Sequence, residues 1–245
     1  MYAQEKIKPY SDSTSKSEQV EQMFDNIAPT YDALNHILSL GIDRLWRKKA
    51  MNYLKKQGGA RRILDVATGT GDFAILACKK IHPERIVGID ISEIMLEIGK
   101  QKVQKSGMSE VIKFQKEDCA SLSFEDNSFD CVISSFALRN FADLDQSLLE
   151  MHRVLNPGGR IIVIDLCKPD RFPMKQLFWC YQKAIMPLIG KKVSHDDKAY
   201  SYLPNTMAAI PKGKEMSAIF SKAGFKETGY KRLSFQMCMM YYGKK

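Results

Sequence analysis

From residue 61 onwards, short runs of apolar residues alternate with longer segments in which apolar residues recur at helical spacing. The short runs predict β-strands and the longer segments predict helices, because side chains alternate along a strand and repeat about every 3.6 residues along a helix. The predicted strands are 61–67, 85–90, 111–116, 129–135 and 160–166, and the predicted helices are 71–81, 92–106 and 143–154. This alternation predicts a parallel sheet with helices on both of its faces.

The pattern changes after the fifth predicted strand. Residues 172–189 are rich in large apolar side chains, and a further helix is predicted near 213–223. The segments 225–233 and 236–242 are predicted to form a final antiparallel strand pair. We interpret the region near 168–212 as a helical insertion on the substrate side of the sheet. The predicted fold class is therefore α/β, with a mostly parallel, Rossmann-like sheet that ends in an antiparallel pair.

The N-terminal part of the chain has a different pattern. Residues 1–16 are rich in Lys, Ser, Asp and Thr and poor in apolar side chains, which predicts a disordered tail. Residues 17–57 show helical spacing of apolar side chains, interrupted at Pro29 and Gly41. We expect 17–57 to form a helical lid over the main domain, residues 58–245.

Composition places the chain among ordinary soluble proteins, but its charge is uneven. The 245 residues are 44% hydrophobic and 27% charged, which suits one α/β domain with an elaboration. The formal net charge is +9, and residues 168–245 hold 15 Lys or Arg against 5 Asp or Glu. Such an excess is typical either of a solvated surface or of a surface that attracts nucleic acid or an anionic membrane. Charge alone does not choose between these.

The cysteines, the histidines and the lengths of the apolar runs indicate which kinds of site and which cellular compartment to expect. The six cysteines form no Cys-x-x-Cys pair and the four histidines form no His-x-x-x-His pair. We therefore expect reduced thiols and no metal site. The sequence contains no apolar run as long as a membrane span and no signal-peptide core, so we expect a cytoplasmic protein.

The strongest chemical signal is the glycine-rich turn that follows the first predicted strand. Gly69, Gly71 and Ala74 fit the pattern Gly-x-Gly-x-x-Gly/Ala, and Asp90 ends the next strand nineteen residues after Gly71. This arrangement is typical of a nucleotide-binding βαβ unit. The glycines allow close approach of the backbone, and the acid can accept hydrogen bonds from both ribose hydroxyls. A nicotinamide dinucleotide is one cofactor that fits the pattern.

Further features favour S-adenosylmethionine (SAM) as the cofactor. Asp65 ends the first strand, where a carboxylate attracts the ammonium and sulfonium charges of SAM and repels a pyrophosphate. Asp118 follows the third strand, where it can meet the adenine amino group. By analogy of fold, a terminal antiparallel pair is a known addition to the class I SAM-dependent methyltransferase sheet. We assign Thr70, Ser135 and Cys119 to the same cofactor site, the cysteine as a pocket wall rather than a nucleophile.

Several segments closely resemble the ubiquinone/menaquinone-biosynthesis C-methyltransferases, and the resemblance covers nearly all of residues 18–243. They read FDNIAPTYDALN at 24–35, SLG at 39–41, LWR at 45–47, SFALRN at 135–140, RVLNPGG at 153–159, YSYLP at 200–204 and AGF at 223–225. The patterns Tyr-Asp-x-x-Asn and Ser-Phe-x-x-Arg-Asn are specific to this family rather than general to methyltransferases. Departures from the family pattern fall at Asp43, Asn156, Asp165, Cys167, Phe235, Gln236 and Tyr241, and they leave the predicted cofactor residues intact.

The resemblance implies methyl transfer from SAM to a ring carbon of a polyprenylated quinol. We expect demethylmenaquinol as the substrate, with a methoxylated benzoquinol of the ubiquinone pathway as the alternative. Loss of a hydroxyl proton from the quinol produces an oxyanion whose charge reaches the ortho carbon, which can then attack the methyl group. The enzyme must hold the oxyanion, align the carbon with the methyl group and accept a proton.

Residues of two segments are candidates for this chemistry. Arg139 and Asn140 follow the fourth strand, at the edge where ligands bind in α/β sheets. A guanidinium stays protonated, so we assign Arg139 to holding the quinolate or polarising a water, with Asn140 orienting it. Tyr31 and Asp32 belong to the lid, and Asp32 is a candidate proton acceptor unless the two residues only pack the lid. His195 lies in a polar loop and is interpreted as a surface residue.

The expected partners follow from the same features. The apolar segment 172–189 and the basic last third predict a polyprenyl groove and a transient, peripheral visit to the inner face of a membrane. A homodimer is a further hypothesis. An RNA or DNA methyltransferase would also use basic surface, but residues 134–137 read SSFA instead of a base-flipping motif, so no nucleic acid partner is expected. Asp65 and the terminal strand pair disfavour a nicotinamide oxidoreductase.

Overall fold

A seven-stranded sheet forms the centre of the computed structural model, which describes residues 1–10, 13–180 and 197–245. The strands are β1 (Arg62–Val66), β2 (Arg85–Asp90), β3 (Ile112–Lys116), β4 (Phe129–Ser135), β5 (Leu155–Leu166), β6 (Lys226–Leu233) and β7 (Cys238–Lys244). Their order across the sheet is β3-β2-β1-β4-β5-β7-β6. Strands β1 to β5 pair in parallel, while β7 pairs antiparallel with both β5 and β6. The predicted fold class is confirmed.

The largest difference from the predicted strands lies in β5. This strand begins at Leu155, whereas the sequence pattern predicts a start at residue 160. Leu155 pairs with Phe129 of β4, and the register between the two strands then shifts before Cys131 pairs with Arg160. The Asn-Pro-Gly-Gly turn that interrupts the apolar pattern is thus enclosed within the strand.

Helices cover both faces of the sheet. They are α1 (Lys16–Ile27), α2 (Tyr31–Leu38), α3 (Ile42–Lys56), α4 (Asp72–Ile81), α5 (Glu93–Lys105), α6 (Leu144–Val154), α7 (Met174–Cys180), α8 (Asp197–Ala209) and α9 (Lys214–Lys222). Ile63 of β1 belongs to a core with Leu54 of α3, while its neighbour Leu64 belongs to the opposite core with Leu148 of α6 and Phe220 of α9. Alternation of side chains along β1 therefore divides the interior into two layers.

The order of the strands reverses between β1 and β4. From β1 the chain moves outward through β2 to β3, and it then returns to place β4 on the other side of β1. At such a point the two connections leave in opposite directions, which opens a crevice at the carboxyl ends of the strands. The crevice lies beyond Val66 and Ser135, where β1 and β4 end.

The prediction of a disordered tail over 1–16 is wrong for the residues that the structure describes. A short 3-10 helix, Ala3–Lys6, packs against the start of α6. The Tyr2 hydroxyl donates to Asp145 Oδ1 at 2.7 Å, and Glu5 Oε1 accepts from the Leu144 amide at 2.9 Å. Polar residues at the first turn of α6 attract these polar side chains, so a segment with few apolar residues is held by hydrogen bonds instead.

The predicted lid divides into two parts. Helices α1 and α2, joined by a 3-10 turn, lie over the carboxyl ends of the strands, and side-chain bonds hold them there. Ser92 Oγ donates to Asp25 Oδ1 at 2.5 Å, and Thr70 Oγ1 donates to Asp32 Oδ1 at 2.6 Å. Helix α3 differs, because it buries Met51 completely in the core under the sheet. We therefore restrict the term lid to residues 16–38.

The region predicted as an insertion is helical where the structure describes it. It contributes α7 and α8, and Phe178 of α7 is buried while Leu177 is exposed. Much of the predicted apolar groove, together with His195, falls within 181–196 and so lies outside the described residues.

Candidate active site

Two backbone N–H groups fix Asp90 at the end of β2. The Gly69 amide donates to Asp90 Oδ2 at 2.8 Å and the Ser92 amide donates to Oδ1 at 3.0 Å. Burial raises the pKa of Asp90, and the two amides oppose that rise. Gly69 has a φ of +55°, a left-handed conformation that favours glycine. A carboxylate oxygen has more than one lone pair, so both oxygens of Asp90 keep acceptor capacity for a ligand.

Asp90 forms one wall of a cavity that we call the cofactor cavity. Its empty volume is about 850 Å³, open to solvent, and it lies at the carboxyl ends of β1 to β4. Five of the residues predicted to bind the cofactor line it: Gly69, Asp90, Asp118, Cys119 and Ser135. The topology thus gathers the ends of four strands around one space.

Cys119 is a wall residue of this cavity. Its Sγ donates to Ser147 Oγ at 3.4 Å, and burial raises the pKa of the thiol to about 12. A thiol with this pKa stays protonated at neutral pH and is a poor nucleophile. The geometry agrees with the interpretation of Cys119 as pocket wall.

Asp65 lies beneath the glycine turn and is not among the residues that line the cofactor cavity. Its side chain is fully buried, and Oδ2 accepts from Thr68 Oγ1 at 2.7 Å. Burial raises the pKa of Asp65 to about 7, while Oδ1 has no hydrogen-bond partner among the described residues. A positive charge bound above the turn would offset the burial of this carboxylate. Asp65 therefore fits a cationic cofactor through its charge rather than through the direct contact that the sequence predicts.

Gly71 is required for packing against a neighbouring strand. A Cβ built on Gly71 would lie 2.7 Å from Cζ of Phe114, and Gly71 does not line the cofactor cavity. The same ring would meet a Cβ on Gly88 at 2.6 Å. Phe114 of β3 thus occupies the space that these glycines leave, and the role of Gly71 in binding the cofactor stays a prediction.

Asp32 and Thr70 also lie away from the cavity. Asp32 Oδ2 pairs with Lys102 Nζ at 2.7 Å, and its Oδ1 accepts from Thr70 Oγ1 at 2.6 Å. Lys102 also pairs with Asp72 Oδ1 at 2.5 Å. Both oxygens of Asp32 are engaged in tying α2 to the main domain, so its interpretation as a proton acceptor is not supported. The alternative, that Asp32 only holds the lid, fits this geometry.

A second cavity, the ring cavity, adjoins the cofactor cavity beneath the lid. It has an empty volume of about 550 Å³. Phe24, Tyr31 and Asn140 line both cavities, so they form the wall between them. The remaining lining residues are mostly apolar: Met23, Ile27, Leu34, Asn35, Arg139, Tyr202 and Leu203. Burial raises the pKa of Tyr31, which keeps its phenol protonated at neutral pH.

A third cavity, the tail cavity, continues from the ring cavity. It has an empty volume of about 630 Å³ and shares Asn35, Arg139 and Leu203 with the ring cavity. Its other walls are largely apolar and include Trp46 and Phe178. The three cavities are therefore contiguous through shared residues, and Arg139 lies where the second meets the third.

The Arg139 guanidinium is fixed by a buried acid. Its Nη1 pairs with Asp165 Oδ1 at 2.6 Å and donates to the Phe136 carbonyl oxygen at 2.5 Å. The Arg139 amide donates to Asp165 Oδ2 at 3.0 Å. Burial raises the pKa of Asp165, and the attraction of Arg139 opposes that rise. In the sequence, Asp165 is recognisable only as a departure from the family pattern. An acid at the carboxyl end of a central strand was the signal that could have identified this role.

Comparison with known proteins places this architecture in a family. The model of the ubiE/COQ5 methyltransferase family matches residues 12–245. The chain belongs to this family. A demethylmenaquinone methyltransferase of Bacteroides fragilis is 56% identical over 100% of this chain and 99% of its own length. A ubiquinone/menaquinone biosynthesis C-methyltransferase UbiE of Geotalea daltonii is 41% identical over 95% of this chain and 98% of its own length.

Solved structures confirm the fold of this methyltransferase. A SAM-dependent methyltransferase from Thermotoga maritima superimposes with a TM-score of 0.62 at 19% identity, covering 91% of this chain and 99% of that one. The predicted class I SAM-dependent methyltransferase fold is therefore confirmed. The family match and the relative at 56% identity confirm a methyltransferase rather than a nicotinamide oxidoreductase.

Proposed function

We propose that this protein transfers a methyl group from SAM to a ring carbon of demethylmenaquinol. The observation that carries the proposal is the shared wall of Phe24, Tyr31 and Asn140, which brings a mostly apolar ring cavity against the cofactor cavity. Residues that line both cavities mark the place where the two cavities meet, and the ring carbon and the methyl group must come into direct contact there. The name of the Bacteroides fragilis relative, at 56% identity, supports this quinone over the benzoquinol of the ubiquinone pathway.

SAM supplies an electrophilic methyl group, and the residues around the cofactor cavity fit its charges and hydroxyls. Asp90 presents two acceptor oxygens at the end of β2, the position expected for a ribose diol. Asp118 has one side-chain oxygen committed to the Ala120 amide at 2.9 Å, which orients its carboxylate beside the cavity. We assign the adenine to Asp118 and the cationic end of SAM to the field of Asp65.

Arg139 is proposed to hold the quinolate oxygen. Its permanent charge lies on the wall of the ring cavity, where it stabilises an oxyanion and lowers the pKa of the quinol hydroxyl. Asp165 fixes the guanidinium, and Asn140 Nδ2 donates weakly to the Phe136 carbonyl oxygen at 3.5 Å. Tyr31 remains protonated and acts as a hydrogen-bond donor between the two cavities rather than as a base. The hydroxyl proton of the quinol leaves to solvent, and the ring proton lost after methylation likewise passes to solvent, while the oxyanion regains a proton on product release.

The test is transfer of labelled methyl from SAM to a short-tailed demethylmenaquinone, with and without dithionite. Label in the ring only after reduction is the expected result, because only the quinol can form the oxyanion. Arg139→Gln should lower kcat by about 100-fold or more while SAM affinity is retained. Arg153→Gln is the matched control, since Arg153 pairs with Glu150 and Asp126 and lines none of the three cavities.

Other outcomes of this assay separate the alternatives. Methylation of a methoxylated benzoquinol in preference to demethylmenaquinol would assign the protein to the ubiquinone pathway. Measurable SAM binding with no transfer to either quinol would contradict the proposal and make nucleic acid the next substrate to test.

The tail cavity is proposed to take the first part of the polyprenyl chain and to open towards a membrane. Ser39 and Met237 line it, and the nearby Leu40 and Phe235 are 79% and 80% exposed. Exposed apolar side chains beside a cavity, together with the basic last third, suit an anionic bilayer on its cytoplasmic face. Within the described residues no helix is long and apolar enough to cross a membrane.

Vesicle sedimentation tests this peripheral contact. Binding should increase with anionic lipid content, and Phe235→Ser should weaken it. Leu149→Ser serves as control, because Leu149 is 47% exposed on α6 and lines none of the three cavities. Binding that ignores both lipid charge and Phe235 would refute the membrane proposal without touching the methyl transfer. The homodimer hypothesis is tested separately by sedimentation velocity.

A further inference from the structure

The hydroxyl of Tyr202 is buried, and no contact among the described residues explains why a polar group lies there. The residue lies on α8 and is only 4% exposed. Its hydroxyl has no hydrogen-bond partner among the described residues. The backbone of Tyr202, in contrast, is anchored, because Thr206 Oγ1 donates to its carbonyl oxygen at 3.0 Å. A buried polar group without a partner costs stability, so such a group is expected to have a ligand to bind.

The position of Tyr202 indicates which ligand its hydroxyl would bind. Tyr202 lines the ring cavity together with Tyr31, Asn35 and Arg139, and it does not line the cofactor cavity. The charges that act on its hydroxyl are those of Arg139 and Asp165. Tyr202 therefore belongs to the wall of the ring cavity and not to that of the cofactor cavity.

The chemistry of the hydroxyl makes it a hydrogen-bonding group rather than a base. Burial raises the pKa of Tyr202, so the phenol stays protonated across the physiological range. It can donate one hydrogen bond and can also accept one, but while protonated it does not act as a base. Ring oxygens are the acceptors that a quinol brings into a cavity of otherwise mostly apolar walls.

We propose that the Tyr202 hydroxyl donates a hydrogen bond to a ring oxygen of the quinol, which makes Tyr202 a substrate-binding residue that orients the ring beside Arg139. This inference rests on the proposed quinol methyltransferase function and adds a residue to it. The bond fixes the rotation of the ring in its plane, which decides the carbon that faces the methyl donor. Arg139 alone holds one point of the ring and leaves this rotation free.

Tyr202→Phe is the test, because it removes the hydroxyl and keeps the ring. We expect kcat/KM for the quinol to fall about 10-fold, in line with the loss of one hydrogen bond, while the Kd for SAM is unchanged. We also expect Tm without substrate to stay equal or to rise, because the variant no longer buries an unpaired hydroxyl. For a purely structural tyrosine, the same substitution would lower Tm and leave kcat/KM unchanged.

Tyr241→Phe is the matched control for the structural role. Tyr241 is 2% exposed, lines none of the three cavities, and its hydroxyl accepts from the Gly213 amide at 3.2 Å. This substitution should lower Tm and leave kcat/KM unchanged. If Tyr202→Phe also lowers Tm and leaves kcat/KM unchanged, the hydroxyl is structural and the inference is overturned.

The wild-type arm of the same assay distinguishes two kinds of failure. Wild-type protein that methylates the quinol, with Tyr202→Phe equally efficient, overturns the role of Tyr202 alone. Wild-type protein that binds SAM but methylates no quinol overturns the proposed function, and the role of Tyr202 with it.

Discussion

The pair of Arg139 and Asp165 allows a quantitative prediction. Asp165 accepts three hydrogen bonds, from the Arg139 guanidinium at 2.6 Å, the Arg139 amide at 3.0 Å and the Leu166 amide at 2.7 Å. Asp165→Asn preserves the shape of the side chain but removes its charge and one acceptor oxygen. The variant leaves a guanidinium that is 10% exposed without its counter-charge.

The expected cost follows from this burial. Removing one member of a buried ion pair typically costs about 3–5 kcal/mol, because the other charge remains buried and unpaired. The pKa of Asp165 is raised, so the destabilisation of its carboxylate by burial exceeds the stabilisation that Arg139 provides. We therefore expect the lower end, about 3 kcal/mol in the free energy of unfolding. A domain of ordinary stability, about 5–15 kcal/mol, still folds after this loss.

The same reasoning predicts that a second substitution repairs the first. Arg139→Met in the Asp165→Asn background removes the unpaired charge and fills the space with an apolar chain. Replacing both members of a buried pair is often neutral, so the double variant should recover at least about 2 kcal/mol relative to Asp165→Asn. Methyl transfer should not recover, because the proposed oxyanion ligand is gone.

Urea unfolding of the wild type, both single variants and the double variant measures the coupling. Asp126→Asn is the control, because Asp126 is 67% exposed in its pair with Arg153 and should cost less than about 1 kcal/mol. A double variant that is no more stable than Asp165→Asn would refute the reasoning. So would an Asp165→Asn variant as stable as the wild type.

Two further predictions concern the glycine turn. The pKa of Asp65 is raised from 3.8 to about 7, so the folded state binds an extra proton in this interval and unfolding free energy falls as pH rises through it. Without SAM, the Tm advantage of Asp65→Asn over the wild type should therefore grow between pH 5 and about 7.5, and parallel Tm curves would contradict the assignment. Gly71→Ala should cost about 2 kcal/mol more than Gly107→Ala, since both require a left-handed φ but only Gly71 faces Phe114, at 2.7 Å. Urea unfolding compares the two glycine variants, and equal losses would show that the ring moves aside.

Much of the fold is visible in the sequence because its signals are local. The bounds of β2 and β4 agree with the predicted 85–90 and 129–135, since a buried strand needs only its own run of apolar side chains. The helix caps are local as well: Ser92 and Asp143 each accept a hydrogen bond from the backbone amide three residues later, as expected of N-caps. Asp90 and Asp118 reach the cofactor cavity for a related reason, because the ends of parallel strands meet at one edge.

The roles of residues whose contacts are distant in the chain were predicted less accurately. Asp32 is next to Tyr31 in the sequence, yet Tyr31 faces the cavities while Asp32 turns to Lys102 of α5. Adjacent residues of a helix point in different directions. The sequence does not show which of the two faces the ligand, nor that a lysine from another helix pairs with the other one. The polar residues 1–10 were misjudged in the same way, because their partners belong to α6, more than a hundred residues away.

The order and type of the elements, the family, and the residues that the strand ends bring to the cofactor cavity could all be predicted from the sequence. These depend on periodicity and on motifs that lie within one βαβ unit. Tertiary contacts were needed to show that Asp165 holds Arg139, that Phe114 fills the space beside Gly71, and that Tyr202, in the wall of the ring cavity, buries a hydroxyl without a partner among the described residues. Hydrogen bonds and packing act over a few ångströms in space, and the residues they join are separated along the chain by 26 positions for Arg139 and Asp165 and by 43 for Gly71 and Phe114.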